Sequence, residues 1–367
     1  MQASSTNKGR RAESLLCVLL LCILFLFSSA PIKSVKHALL LCYTTVIPAI
    51  FPFMIVSTLI LRTGAHRLIG SLLSRPMKLI FGCSEKASVA VALGYLCGFP
   101  IGALSAASLY NNGEISKNEL KRLLLFVNNP SAAFVISGVG LGVFGSARVG
   151  RLLYLSVLIP SVLIGIASRS FFRDEKAPNY LAKAQKSDKS ERLTLTLTRA
   201  IGESAVKMLT VCACIVFFSV PVGIINEIFA DIGAHPTLCA ILSSFFEVFG
   251  GCGASGGLSS PVQALMICAF ACSWSGLSVH LQVSSVLEKC DVSLMPYLLS
   301  KLAQSVASPL LVFLFSRSAT ELVFADIPAI SIPTSTTAQL VFLLTFIFSV
   351  VVMGVLYSCK RVASRKV

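Results

Sequence analysis

Charged residues are scarce in this sequence. The 31 Lys and Arg and the 16 Asp and Glu make up only 13% of its 367 residues, against about 25% in an average soluble domain. Hydrophobic residues reach 55%, and the mean hydropathy is +0.83. So few charges cannot cover the surface of a water-soluble fold of this size. The net charge of +15 does not indicate nucleic-acid binding either, because the charges form short clusters between long uncharged runs.

Residues that carry enzyme chemistry are also few. The chain has four His, and its 13 Cys lie almost singly in apolar runs without metal-binding spacing, which is typical of small buried filler. It has neither a Walker-type loop nor a Gly-x-Ser-x-Gly elbow. Gly251-x-Gly253-x-x-Gly256 matches a dinucleotide fingerprint, but no Rossmann unit surrounds it. We therefore expect no metal, no cofactor and no enzyme activity.

The uncharged runs predict an all-α, polytopic membrane protein with about 8–10 membrane segments. A spanning helix needs about 20 mostly apolar residues, and several runs reach that length. Shorter runs, such as 302–316, reach it if a flanking Arg or Lys snorkels to the interface. Positive charge near the ends and in one linker indicates a multi-pass membrane protein with both termini in the cytoplasm. Charge parity favours 87–110 as a stretch that does not cross the membrane.

We predict the following organisation: an N-terminal membrane anchor helix (1–36), a first membrane repeat (37–170), a basic cytoplasmic linker (171–199), a second membrane repeat (200–316), and a loop, C-terminal transmembrane helix and basic tail (317–367). The basic linker and tail would attract anionic lipid headgroups. The sequence leaves the oligomeric state open.

Interruptions of the apolar runs are the informative positions, because irregular backbone persists at membrane depth only where protein or a watery cavity surrounds it. Five interruptions stand out: 98–102, 128–131, 247–257, 273–282, and Gln304-Ser305 followed by Ser308-Pro309. They supply the predicted solute contacts: Gly98, Pro100, Gly102, Asn128, Asn129, Ser131, Ser275, Gly276, Ser278, His280, Gln282 and Gln304.

Each interruption also has a purely structural interpretation. The prolines would kink helices, the Asn pair would bridge two helices, and a lone His is often structural. Ser131 is a candidate cap for a new half-helix, whose N-terminus favours an anion. Glu247, an intramembrane acid, is a candidate for coupling or gating, or else a solvated helix end at the interface.

The breaks also pair in sequence. A Gly-containing break, a short polar patch and an interrupted span occur twice, from Gly102 to Asn129 and from Gly276 to Gln304. Corresponding broken segments in two halves are typical of a transporter binding site near the midplane.

Two blocks carry a family resemblance. Leu93-Gly-Tyr-Leu-Cys-Gly-Phe-Pro-Ile-Gly-Ala and the stretch from Ile115 through Asn128-Asn-Pro-Ser resemble the sporulation integral membrane proteins of the YlbJ type (stage V sporulation protein V), and Ser275-Gly-Leu-Ser-Val-His-Leu-Gln-Val is similar too. The resemblance implies two nucleoside-recognition or Gate domains with re-entrant hairpins. It also implies transport of dipicolinic acid towards the forespore across the outer forespore membrane, with the quoted breaks lining the path.

From the residues alone, the leading hypothesis is a transporter of a small polar, anionic organic solute. A nucleoside or another small metabolite would also fit amide-rich breaks. A non-transporting membrane scaffold in sporulation is a further alternative.

Overall fold

The computed structural model describes residues 29–171 and 193–318, together with positions 14, 18, 21 and 22. Every regular element within these residues is a helix, which confirms the all-α, polytopic membrane class. Most of the predicted anchor, most of the basic linker and nearly all of 317–367 lie outside the described residues. The helix Ser29–Leu41 crosses the predicted boundary at residue 36, and a later helix starts at Leu193, inside the predicted linker.

The described helices are α1 (Ser29–Leu41), continued by a π-helical turn (Cys42–Val46), α2 (Ile47–Arg62), α3 (His66–Phe81), α4 (Ser88–Cys97), α5 (Ile101–Asn111), α6 (Lys117–Leu124), α7 (Phe134–Phe144), α8 (Ala147–Phe171), α9 (Leu193–Asp231), α10 (Pro236–Phe246), α11 (Val248–Ser255), α12 (Pro261–Trp274), α13 (Gly276–Leu287) and α14 (Met295–Ser318).

Four stretches of the described residues are long and apolar enough to cross a membrane: Ala147–Ser170, Thr194–Asp231, Pro261–Leu287 and Met295–Ser316. A fifth is a bent pair, Ile32–Val46 and Ile50–Arg62, whose halves meet at 55°. Three shorter apolar helices, α4, α7 and α10, fall below the length of a full span. At about 1.5 Å per residue they cannot cross about 30 Å of hydrocarbon alone.

Two short helix pairs fold back on themselves as hairpins. In the first, α4 and α5 meet so closely that a Cβ added to Gly102 would lie 2.9 Å from the Cα of Gly94. In the second, α10 and α11 meet where a Cβ added to Gly251 would run into Ser244. The first hairpin occupies the stretch that charge parity singled out as not crossing the membrane, and its helices have the lengths of a re-entrant hairpin.

The order of elements recurs along the chain, but not in the pairing that we expected. A hairpin, a broken helix and a long helix with an internal proline occur as α4–α8 and again as α10–α14. Gly98 and Glu247 at the hairpin tips have the same sequence separation as Pro160 and Pro309 in the long helices. Glu247 therefore corresponds to Gly98, and the break at Ser275-Gly276 corresponds to Asn128–Ser131.

The predicted interruption at Gln304-Ser305 and Ser308-Pro309 is wrong, because α14 runs through it unbroken. Neighbouring groups stabilise the helix there. The Ser305 hydroxyl donates to the Leu302 carbonyl (2.8 Å), and the hydroxyls of Ser273 and Ser308 are hydrogen-bonded to each other (2.6 Å). An internal proline is tolerated in a membrane helix that packs against neighbouring helices, as α14 does against α12.

Candidate functional site

The tip of the first hairpin packs directly against the break of the helix that follows it. The Phe99 N–H donates to the Asn129 carbonyl (2.6 Å), and Gly98, with φ of +78°, lies against the Ser131 backbone. The Val127 carbonyl oxygen sits where Cβ atoms of residues 94 and 102 would be, so that only glycine fits at either position. Two breaks that are far apart in the sequence therefore form one structural unit.

The break between α6 and α7 exposes carbonyls that no helix satisfies. Side chains supply the missing hydrogen bonds. Asn129 Nδ2 and Ser161 Oγ both donate to the Phe126 carbonyl at 2.7 Å. The Leu125 carbonyl accepts from Gln304 Nε2 at 2.9 Å and from the Ser300 hydroxyl. Because protein groups satisfy these carbonyls, the irregular backbone is stable at membrane depth.

Ser131 begins the next helical segment, as its sequence position predicted. Its hydroxyl oxygen accepts from the Phe134 N–H at 3.2 Å, and the side chain is buried. The N-terminal N–H groups of this half-helix therefore face the break and favour negative charge there.

A chain of three buried side chains joins this break to the second half of the protein. Asn128 Nδ2 donates to Tyr297 Oη (3.1 Å), and Tyr297 Oη lies 3.1 Å from His280 Nδ1. Tyr297 comes from α14 and His280 from α13, so three elements converge. Asn128 Nδ2 is a donor, so among these groups only His280 Nδ1 can accept the Tyr297 hydroxyl proton. In the tautomer that forms this bond, a neutral His280 carries its own proton on Nε2.

Several buried polar atoms of this region have no hydrogen-bond partner among the described residues. They are Asn128 Oδ1, Asn129 Oδ1, His280 Nε2 and Gln282 Oε1. Each belongs to a side chain that is at most 6% exposed. Buried polar groups are nearly always paired in native proteins. Asn128 and His280 meet through Tyr297, so their unpartnered atoms mark a place for a polar ligand. Gln282 lies on another face of α13, two residues from His280.

Lys301 is the most informative residue that sequence reasoning missed. It flanks the run 302–316, and we expected such a flanking lysine to snorkel to the interface. That prediction is wrong for Lys301, which is 0% exposed and donates to Gln304 Oε1 at 3.1 Å. Tyr297, Lys301 and Gln304 recur at the i, i+4, i+7 spacing of one helix face, and this spacing was the available signal.

The second hairpin tip packs against the second helix break in the same way. A Cβ on Gly276 would lie 2.9 Å from the Phe246 carbonyl oxygen and 3.0 Å from Glu247 Cα. The Trp274 indole N–H donates to the Phe245 carbonyl (3.1 Å), and its ring meets the His280 ring edge-on at a centroid distance of 4.5 Å. The single Trp of the chain therefore adjoins the candidate site.

Glu247 is buried at this tip, not solvated at an interface. Its Oε1 accepts from the Phe249 N–H (3.0 Å) and its Oε2 from the Gly250 N–H (2.6 Å), so the carboxylate caps α11. Both oxygens are thus occupied by the helix that Glu247 begins. A carboxylate is favourable at a helix N-terminus, and this explains a buried acid that has no ion-pair partner in the part of the chain that the structure describes.

The predicted site residues fall into three groups in the structure. Asn128, Asn129 and His280 lie at the junction of the two halves. Gln304 donates to the Leu125 carbonyl just before the first break. Gly98, Pro100, Gly102 and Ser131 shape the first hairpin contact. Ser275, Gly276, Ser278 and Gln282 form the second break and its helix, where Gln282 Nε2 donates to Ser278 Oγ at 3.4 Å.

Comparisons with known proteins add one relative. The chain is 28% identical over 335 residues to the sporulation integral membrane protein YlbJ of Bacillus subtilis (strain 168), an alignment that covers 81% of this chain and 82% of the relative. No family model matches the chain, and no solved structure matches it either. The chain is therefore similar, along most of its length, to an integral membrane protein of sporulation.

Proposed function

We propose that this chain is a membrane permease of the YlbJ type, and that it moves a small anionic organic solute through the junction of its two halves. The observation that carries the proposal is the convergence of the first break, α13 and α14 on one buried polar cluster. Broken helices at corresponding places in two halves are a known way to build a midplane solute site.

The charge of the solute follows from the available donors. His280 Nε2 has no partner among the described residues, and Lys301 follows Tyr297 by one turn on the same face of α14. The N-terminus of the half-helix after Ser131 adds a partial positive charge. These groups favour an anion such as a carboxylate. Likeness to YlbJ supports a role in sporulation, and dipicolinic acid transport across the outer forespore membrane is the substrate and place that we propose.

A nucleoside is the second candidate. Asn128 Oδ1 and Asn129 Oδ1 are unpartnered acceptors that would suit the N–H and O–H groups of a neutral nucleoside. We favour the anion because a nucleoside offers no partner for the charge of Lys301.

We propose a carrier, not an enzyme. Ser275 and His280 are the nearest approach to a nucleophile and base, but the Ser275 hydroxyl donates to the Cys272 carbonyl (3.3 Å) and the His280 Nδ1 faces Tyr297. A scaffold without transport would not need unpartnered polar atoms in its core.

Flux measurements in proteoliposomes test the proposal. Purified full-length protein should move radiolabelled dipicolinate, whereas Asn129→Ala, Gln304→Ala and Tyr297→Phe should reduce the flux strongly while leaving membrane insertion intact. Ser219→Ala is the matched control, because that hydroxyl binds its own helix on α9, at the Val216 carbonyl (2.7 Å). Wild-type flux of dipicolinate, succinate and uridine no higher than that of empty liposomes would refute the permease.

A further inference from the structure

We infer that Lys301 and His280 together form the binding site for one carboxylate of the solute, and that Lys301 determines the preference for anions. This inference rests on the proposed function, since it assigns residues within the same junction. It begins from the one buried lysine of the described residues that has a single hydrogen-bond acceptor and no carboxylate within ion-pair distance.

Arg122 shows what a structural cation looks like in this protein. It is 2% exposed and its guanidinium donates to Ser168 Oγ (3.2 Å), the Gly82 carbonyl (3.2 Å) and Cys83 Sγ (3.7 Å). Its donors are thus distributed over three acceptors that fix the loop before α4. Lys301 is buried more deeply, yet the described residues offer its ammonium only Gln304 Oε1.

A buried ammonium needs an anion or a full set of acceptors, because removing it from water costs several kcal/mol. An ammonium has three donors, and Gln304 takes one. Gln304 is itself held in place, since its Nε2 donates to the Leu125 carbonyl (2.9 Å) and to Ser300 Oγ (3.1 Å). The remaining donors of Lys301 have no hydrogen-bond acceptor among the described residues and can therefore bind a ligand.

His280 supplies the second donor. Its Nδ1 accepts from Tyr297, so that Nε2 carries the proton, and that N–H has no acceptor among the described residues. Lys301 follows Tyr297, the partner of His280, by one turn on the same face of α14. One carboxylate has two oxygens and can accept from both groups, as carboxylates do in charge-assisted hydrogen bonds.

The unpartnered acceptors of the same region do not contradict an anion. Asn128 Oδ1 and Asn129 Oδ1 belong to side chains whose amide nitrogens already donate to protein groups. Protonated or N–H-bearing parts of a solute, or water, satisfy such acceptors. Lys301 and His280 therefore bind the carboxylate, and the amide oxygens of Asn128 and Asn129 accept hydrogen bonds from other parts of the solute or from water.

Binding to the purified full chain tests the role of Lys301. Fluorescence of Trp274, whose ring touches His280, reports the titration. The probes are dipicolinate and its neutral analogue pyridine-2,6-dicarboxamide. Lys301→Gln retains a donor without the charge, and Lys301→Met removes both. Lys207→Met is the matched control, because Lys207 is a partly buried lysine on α9, near Glu203 and Arg62.

We expect both Lys301 variants to bind dipicolinate about tenfold to a hundredfold more weakly, since hydrogen bonds to a charged group are worth about 1.5–3 kcal/mol. They should bind the dicarboxamide at least as well as wild-type protein does, and Lys207→Met should leave both affinities unchanged. His280→Gln should weaken dipicolinate less than Lys301→Met does.

The inference is overturned if wild-type protein carries dipicolinate and Lys301→Gln binds it within twofold of wild-type affinity. In that result the permease stands and only the assignment of Lys301 is wrong. If wild-type protein carries uridine and does not bind dipicolinate, the assignment of Lys301 and His280 as a carboxylate-binding site is wrong as well. Absence of flux for every solute would instead remove the proposed function.

Discussion

The contact between Gly102 and Val127 offers the sharpest test of the architecture. In Gly102→Ala, the new Cβ would overlap the Val127 carbonyl oxygen and lie 2.9 Å from both the Val127 carbonyl carbon and the Cα of Gly94. All three are backbone atoms, so no side chain can rotate away. The first hairpin must then move away from the break that carries Asn128.

The change in the free energy of unfolding combines two destabilising contributions and one stabilising contribution. Overpacking of a tight core contact costs about 1–3 kcal/mol, and separation of the hairpin tip also weakens the bond from Phe99 N–H to Asn129, worth about 1 kcal/mol. Replacing a helical Gly by Ala returns about 1 kcal/mol. The net loss is about 2 kcal/mol. With an unfolding entropy of about 2.1 cal/mol/K per residue, this corresponds to a fall in Tm of about 3 °C for a chain of 367 residues.

The assay is thermal unfolding of the purified full-length protein, followed by Trp274 fluorescence. Gly202→Ala on α9 is the matched control, because a Cβ there meets nothing within 4 Å; its Tm should be unchanged or slightly higher. The variant Gly102→Ala should also lose dipicolinate binding, since the break is displaced. If both variants unfold at the wild-type temperature, the close contact between hairpin and break does not exist.

Two further predictions concern other parts of the junction. Glu247→Ala should lower the free energy of unfolding by about 1–2 kcal/mol through loss of the α11 cap. Glu247→Gln keeps an acceptor and should retain most of the stability and the flux. Abolished flux in a stable Glu247→Gln protein would instead establish a coupling role. Lys117 and Asp291 pair at 2.7 Å and connect the two halves, so a zero-length carbodiimide should cross-link them, and Asp291→Asn should remove the cross-link. Lys117 lowers the pKa of Asp291 below its ordinary value. The ion pair is therefore present at neutral pH and is lost as the pH falls through that lowered pKa. An equal cross-link yield in wild-type protein and in Asp291→Asn would contradict the contact.

Much of the candidate site was predictable because its signals are local. Asn128, Asn129 and His280 are polar residues in apolar surroundings, and a polar group at membrane depth needs a reason that the sequence itself exposes. The role of Ser131 as a cap follows from its place after Pro130 and before an apolar run.

Other features were not accessible in this way. Tyr297 and Lys301 stand near the start of an apolar run, where tyrosine and lysine are usually interfacial. Only the contacts of α14 with Leu125 and Asn128 show that this end of the helix is buried. The repeat pairing failed for a similar reason, because Gly276 resembles Gly102 in sequence but packs as the counterpart of the Asn128–Ser131 break.

The sequence by itself determined that this is a helical membrane protein and where most of its helix breaks lie. Those properties depend on hydropathy, charge spacing, Pro and Gly, each of which acts over a few neighbouring residues. Only the tertiary structure decided which breaks meet, that Glu247 caps a helix, and that Lys301 lies in the core. These depend on contacts between residues far apart in the chain, and in those contacts the backbone and side chains of one half satisfy the polar groups of the other.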